Sequence, residues 1–196
     1  MKGWEFHPGK TVYSCIKRYI MKHVCYYLLV FFLLLVAVPA VRGAVVDSTA
    51  SGFTVRQEQA VSGDPDILFS KFHQDIGEWW DPAHTWSGKA SNLSIQPYPN
   101  GCFCEDLENG GQVRHMTVIC VDPGKKFRME GGIGPLQQFA VSGVMTLEIK
   151  PEGDRCKVSL TYTVGGYIPG GAAKLAGVVD RVLAEQFRRF VEYATK

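Results

Sequence analysis

The sequence lacks a basic stripe outside its first 43 residues. Nucleic-acid binding needs clustered Lys and Arg to neutralise phosphates, so a nucleic-acid partner is excluded. The one short cluster, Lys125-Lys126-Phe127-Arg128, reads as a solvated hairpin edge. No Gly-Lys-Ser/Thr follows the glycine-rich stretch from Gly165 to Lys174, so there is no phosphate loop. Ser142-Gly143 lacks the full nucleophile elbow, and no dinucleotide fingerprint occurs. Cys102-Phe103-Cys104 with scattered His73, His84 and His115 lacks the paired spacing of a zinc centre. No metal and no cofactor is therefore expected.

What is present is ordinary globular composition, 46% apolar and 20% charged. The charge is unevenly placed. Lys2, Lys10, Lys17, Arg18, Lys22 and Arg42 face a single acid, Glu5, which puts +5 on residues 1–43. The whole chain carries +2, so residues 44–196 carry −3. Lys17, Arg18 and Lys22 precede an apolar run from Val24 to Val41, followed by small residues around Val38-Pro39-Ala40 and Val41-Arg42-Gly43. A basic segment, an apolar segment and a small-residue site read as a secretory signal over residues 1–43. Met21 offers a second start. The alternative is a retained anchor, because eighteen apolar residues just span a bilayer. Membrane contact is expected only through that segment if it stays uncleaved. No Cys stands where a lipoprotein would need one. Residues 44–196 are long enough to bury roughly 70% of their unfolded surface as one domain.

Within that domain residues 47–52 read as a polar linker. Phe53 to Val61 alternates as a strand, with Phe53, Val55, Gln57 and Gln59 on one face. Asp64-Pro65 starts a helix whose apolar positions are Ile67, Leu68, Phe72 and Ile76, ending near Gly77. A polar, aromatic loop from Glu78 to Ser91 follows. Six strand-like runs come next: 93–98, 102–107, 113–121, 127–131, 139–149 and 156–165. Turn residues separate them, as in Asp122-Pro123-Gly124, and such close spacing makes an antiparallel meander. A long helix opens after Gly170-Gly171 with an apolar stripe from Leu175 to Val191. Arg181–Glu185, Glu185–Arg189 and Arg188–Glu192 are spaced to pair on its wet side. The class is α+β: a curved antiparallel sheet of about seven strands around one long C-terminal helix. One helix covers such a sheet incompletely, and the gap suits a small-molecule site.

Several motifs carry a resemblance. They are Glu78-Trp79-Trp80-Asp81-Pro82-Ala83-His84-Thr85-Trp86-Ser87-Gly88, Gly101-Cys102-Phe103-Cys104-Glu105, Gly134-Pro135-Leu136-Gln137 and Gly165-Gly166-Tyr167. With this element order, residues 52–194 resemble the SRPBCC superfamily. That helix-grip group includes START lipid-transfer domains, Bet v 1-like proteins, polyketide cyclases and Hsp90-ATPase-activator-like proteins. The resemblance is to exported bacterial members, and it implies a hydrophobic ligand tunnel between sheet and long helix. It says little about activity, because one fold hosts many functions.

Candidate site residues follow. Trp79, Trp80 and Trp86 with His84 supply apolar surface and a few N–H donors, either as a pocket wall or as a plug at one end of the sheet. A lone loop histidine such as His84 is more often a hydrogen-bonded structural group than a base. Glu105 and His115 flank one turn; an even register puts them on one face as a carboxylate–imidazole pair, an odd one separates them. Phe139, Tyr162 and Tyr167 complete the candidate lining. Cys102 and Cys104, two apart on a strand, face the same way and are badly placed to bond each other. Either is expected to bond Cys120 in an oxidising compartment; the alternative is buried free thiols.

The first functional reading is an exported binding protein, periplasmic or secreted, holding a small hydrophobic molecule: a lipid, aromatic or polyketide-like compound. The alternative is a cyclase- or hydrolase-type enzyme using Glu105, His115 or His84 as acid–base groups. A chaperone-interaction module is disfavoured by export. The sequence carries no signal for an oligomeric state. Protein isolated from its native host is expected to begin between Val41 and Ala44. N-terminal sequencing checks this, and an intact leader recovered from the cytoplasm overturns it.

Overall fold

The computed structural model describes residues 42–196. The leader expected over residues 1–43 lies almost wholly outside the described residues. Eight strands form a single antiparallel sheet: β1 (Arg42–Ser48), β2 (Gly52–Val61), β3 (Leu93–Ile95), β4 (Cys102–Asp106), β5 (Gln112–Asp122), β6 (Lys126–Glu130), β7 (Ala140–Glu152) and β8 (Arg155–Tyr167). Their order is β1-β2-β8-β7-β6-β5-β4-β3. Two short helices, α1 (Pro65–Gln74) and α2 (Ile76–Trp79), carry the chain from β2 to the far edge. The long α3 (Ala173–Ala194) packs against β1, β2, α1 and α2. This is the helix-grip arrangement. Among the described residues no helix is long and apolar enough to cross a membrane.

The expected linker at 47–52 is shorter than its composition suggests. β1 takes residues up to Ser48 and pairs with β2, which raises the strand count from seven to eight. Its residues 43–48 are exposed, so no buried alternation marked it. The single helix expected to reach Gly77 is two, broken at Asp75. Its start is as expected: the Asp64 side chain accepts N–H bonds from Asp66 and Ile67, and Pro65 fills the first turn.

The core is aromatic where the helices meet. Phe72 of α1 lies edge-on to Phe190 of α3 at 5.3 Å and stacks on Trp79 of α2 at 5.6 Å. His73 stacks flat on Phe127 of β6 and bonds the Phe69 carbonyl through Nδ1 at 2.9 Å. Such aromatic pairs add about 0.5–1.5 kcal/mol each beyond buried area. On the wet side of α3, Arg188 bridges Glu185 and Glu192. The expected Glu185–Arg189 pair does not form, because Arg189 turns inward and donates to the Trp79 carbonyl at 2.8 Å.

Curvature comes from β5. Glu105 pairs with Val113 and Cys104 with Arg114, but Phe103 pairs with Met116, so His115 is an extra, bulged residue. A second shift falls between Val118 and Cys120. Bulges bend a strand and re-aim its side chains. Gly131 makes room for the first: its φ is +148°, and a Cβ there would sit 2.7 Å from the His115 carbonyl oxygen. Gly131→Ala is therefore expected to lower stability by about 1–3 kcal/mol, checked by chemical denaturation; an unchanged midpoint would show that the bulge does not need that glycine.

Candidate functional site: an apolar cavity with a buried carboxylate–imidazole floor

A cavity of about 570 Å³ lies between α3 and the sheet. Its buried floor is formed by Trp80, Leu93, Phe103, His115, Leu136 and Leu183. Its mouth carries exposed Ala83, His84, Trp86, Pro135 and Val178. Leu175, Val179 and Val182 supply the helix wall. An apolar hollow of this size, with few polar groups, has the character of a small-molecule site.

The tryptophan loop is built by bonds from distant elements. Gln186 of α3 accepts the Asp81 N–H at 2.8 Å, and Trp80 Nε1 donates to the His84 carbonyl at 3.1 Å. Glu105 of β4 accepts the Trp86 N–H at 3.0 Å and the Ser87 N–H at 2.5 Å. The same carboxylate bonds His115 Nε2 at 2.9 Å. The register is thus even on the turn side of the bulge, and Glu105 and His115 share the inner face. Burial pushes the Glu105 carboxyl up, but the Ser87 and Trp86 N–H groups and His115 outweigh it and hold it below the ordinary carboxylate value. Burial lowers His115, against the opposing pull of Glu105. The pair is therefore carboxylate and neutral imidazole, with the ring proton on Nε2.

The sequence-based candidates divide. Trp80, Trp86, His84 and His115 line the cavity. Glu105 is fully buried behind His115 and acts through it. Trp79 belongs to the helix core. Phe139 packs partly buried on the core, and Tyr167 lies 71% exposed; neither lines the cavity. Tyr162 lies beneath: its hydroxyl donates to the Gly131 carbonyl at 2.8 Å and accepts the Ile133 N–H at 3.2 Å. It holds the segment that supplies Ile133 to Leu136 of the wall, and burial pushes its phenol up to about 12. Phe103, Leu93 and Leu183 were missed as lining; each reads as a plain core position, and only the gap left by the curved sheet distinguishes them.

The expected disulfide is corrected. Cys102 bonds Cys104, while Cys120 and Cys156 are free. A regular strand would hold residues i and i+2 too far apart and parallel. Here the two Cα atoms, beside the register shift between Phe103 and Cys104, are 5.4 Å apart, within disulfide reach. Cys120 pairs in register with Arg128 of β6, and Cys102 with Thr117 of β5 rather than with Cys120. Among the described residues no group of three or more His, Cys, Asp or Glu is placed to hold a metal ion.

The fold and cavity together define a helix-grip protein with an internal apolar chamber. No protein-family model and no curated protein matches the sequence. Solved structures do match. The Mll3558 protein from Rhizobium loti is 16% identical, over 78% of this chain and 98% of that one, with a TM-score of 0.52. CalU16 from Micromonospora echinospora is 11% identical over 79% and 83%, TM-score 0.50. DynU16, a protein in the dynemicin biosynthetic locus, is 14% identical over 71% of this chain but 46% of its own, TM-score 0.50. These likenesses are ones of fold alone.

His73 and His115 both lie below the ordinary histidine value of 6.5 through burial. The unfolded chain takes up their protons first, so stability is full above pH 6.5 and falls as pH drops through the window below it. Glu105 adds a second loss below its unfolded value of 4.5. Denaturation midpoints should decline from pH 7.5 to 5, and His73→Phe should flatten that decline; a flat profile in the unaltered protein would contradict the buried neutral rings.

Proposed function

We propose that residues 44–196 form an exported binding domain that holds one small, largely apolar ligand, such as a lipid, aromatic or polyketide-like molecule, between the sheet and α3. The observation that carries the reading is the 570 Å³ cavity with an apolar wall and a single buried polar pair. The place of DynU16 in a biosynthetic locus supports a small molecule as the ligand. The leader pattern of residues 1–43 supports export, with an uncleaved membrane anchor as its alternative.

The Glu105–His115 bond supports a second reading, a cyclase- or hydrolase-type enzyme. A carboxylate that orients a neutral imidazole is the arrangement of a general base. In that case, with a turnover substrate in hand, His115→Gln lowers its rate about a hundredfold or more with binding intact. Under the binding reading it changes little for a purely apolar ligand.

Native mass spectrometry of the purified protein should reveal a co-purified small molecule. Nile red should bind saturably and quench the indoles. Trp80→Ala should weaken it by roughly 1–3 kcal/mol, the scale of one buried aromatic contact. Absence of any saturable apolar binding would remove both readings.

A further inference from the structure

The buried floor of the cavity contains few side-chain polar atoms, and nearly all are already used. Trp80 Nε1 donates to the His84 carbonyl. His115 Nε2 donates to Glu105. Leu93, Phe103, Leu136 and Leu183 have none. At the half-buried edge the Thr85 hydroxyl donates to the Pro82 carbonyl at 2.7 Å. What remains is His115 Nδ1. Its one partner among the described residues is the amide of Gln137, an exposed side chain at 3.5 Å, the far limit of a hydrogen bond. That amide also donates to the Arg114 carbonyl at 3.2 Å.

The state of the ring determines what Nδ1 offers. Glu105 accepts three N–H groups, and a carboxylate is an acceptor only. The shared proton therefore sits on His115 Nε2, and Nδ1 presents a lone pair. Among the described residues no Lys or Arg lines the cavity. The nearest buried charge is the negative Glu105, directly behind the ring. His84 lies out at the mouth, beside solvent.

On the reading that this cavity holds an apolar ligand, we infer that the ligand is a neutral amphiphile whose hydroxyl, phenolic or alcoholic, donates a hydrogen bond to His115 Nδ1. A carboxylate ligand is disfavoured on two counts. It is an acceptor facing an acceptor, and it would lose its hydration beside a buried negative charge with no cation to meet it. A hydroxyl satisfies the lone pair, and its apolar body fills the wall of Leu175, Val179 and Val182. The cavity thus selects an alcohol or phenol over the fatty-acid anion of the same length.

Three matched probes separate the possibilities: para-octylphenol, its methyl ether para-octylanisole, and para-octylbenzoate, each measured by displacement of Nile red at neutral pH. The phenol should bind about fivefold or more tighter than the ether, the worth of one net hydrogen bond. The benzoate should bind more weakly than the ether. In His115→Phe the phenol-to-ether ratio should fall to about one while the ether still binds. Should that variant not fold, nitrogen NMR of histidine-labelled wild-type protein replaces it: the Nδ1 resonance of His115 should move with the phenol and not with the ether. Equal binding of phenol and ether, or tighter binding of the benzoate, overturns the inference and leaves the apolar-cavity reading standing. Nile red binding that none of the three displaces likewise overturns only the inference. If Nile red itself does not bind, both fall.

Discussion

Glu105 is a charged group with no exposed surface, and such a group is stable only where enough hydrogen-bond donors converge on it. Three do. Two come from the backbone of the loop that carries Trp86, and one from His115 on the neighbouring strand. Charge-assisted bonds are worth about 1.5–3 kcal/mol each, enough in sum to offset several kcal/mol of desolvation. The carboxylate therefore ties the tryptophan loop to β4 and β5. It also sets the tautomer of the imidazole that faces the cavity. Loop position, ring orientation and cavity chemistry all depend on that one anion.

The bulge at His115 is what lets the pair form while Met116 also points inward. Two consecutive inward side chains are impossible in a regular strand and normal at a bulge. Gly131 yields the space on one side, and the Tyr162 hydroxyl pins the Gly131–Ile133 backbone on the next. Gly143 in turn leaves room for the Tyr162 ring, since a Cβ there would lie 2.5 Å from it. These contacts form a chain of steric and polar dependence that runs from β7 and β8 through the segment after β6 to the floor of the cavity.

The rest of the domain is divided between filling and not filling. The C-terminal half of α3 packs Phe187, Phe190 and Val191 into the core, where Phe72 and Trp79 meet Phe190. Its N-terminal half presents Leu175, Val178, Val179 and Val182 to open space. The helix is thus anchored at one end, by aromatic packing and by Arg189 and Gln186 holding the tryptophan loop, and forms the chamber wall at the other. A small apolar molecule would complete the packing that the chain leaves undone.

Much of this was legible from residue order alone. The alternation of β2, the Asp64-Pro65 helix start, the meander and the stripe of α3 are local patterns, and local patterns follow from backbone sterics and the periodicity of side chains. They determined the α+β class and the helix laid on a curved sheet. They did not show β1, whose exposed edge carries no alternation, or the break at Asp75. Nor did they distinguish Trp80, which lines the cavity, from Trp79, which fills the core one residue earlier. The meeting of Glu105 with His115 turns on the register of β4 against β5 and on a single inserted residue. Register is a property of the paired strands and of the space that Gly131 leaves between them, so only the tertiary structure decided it.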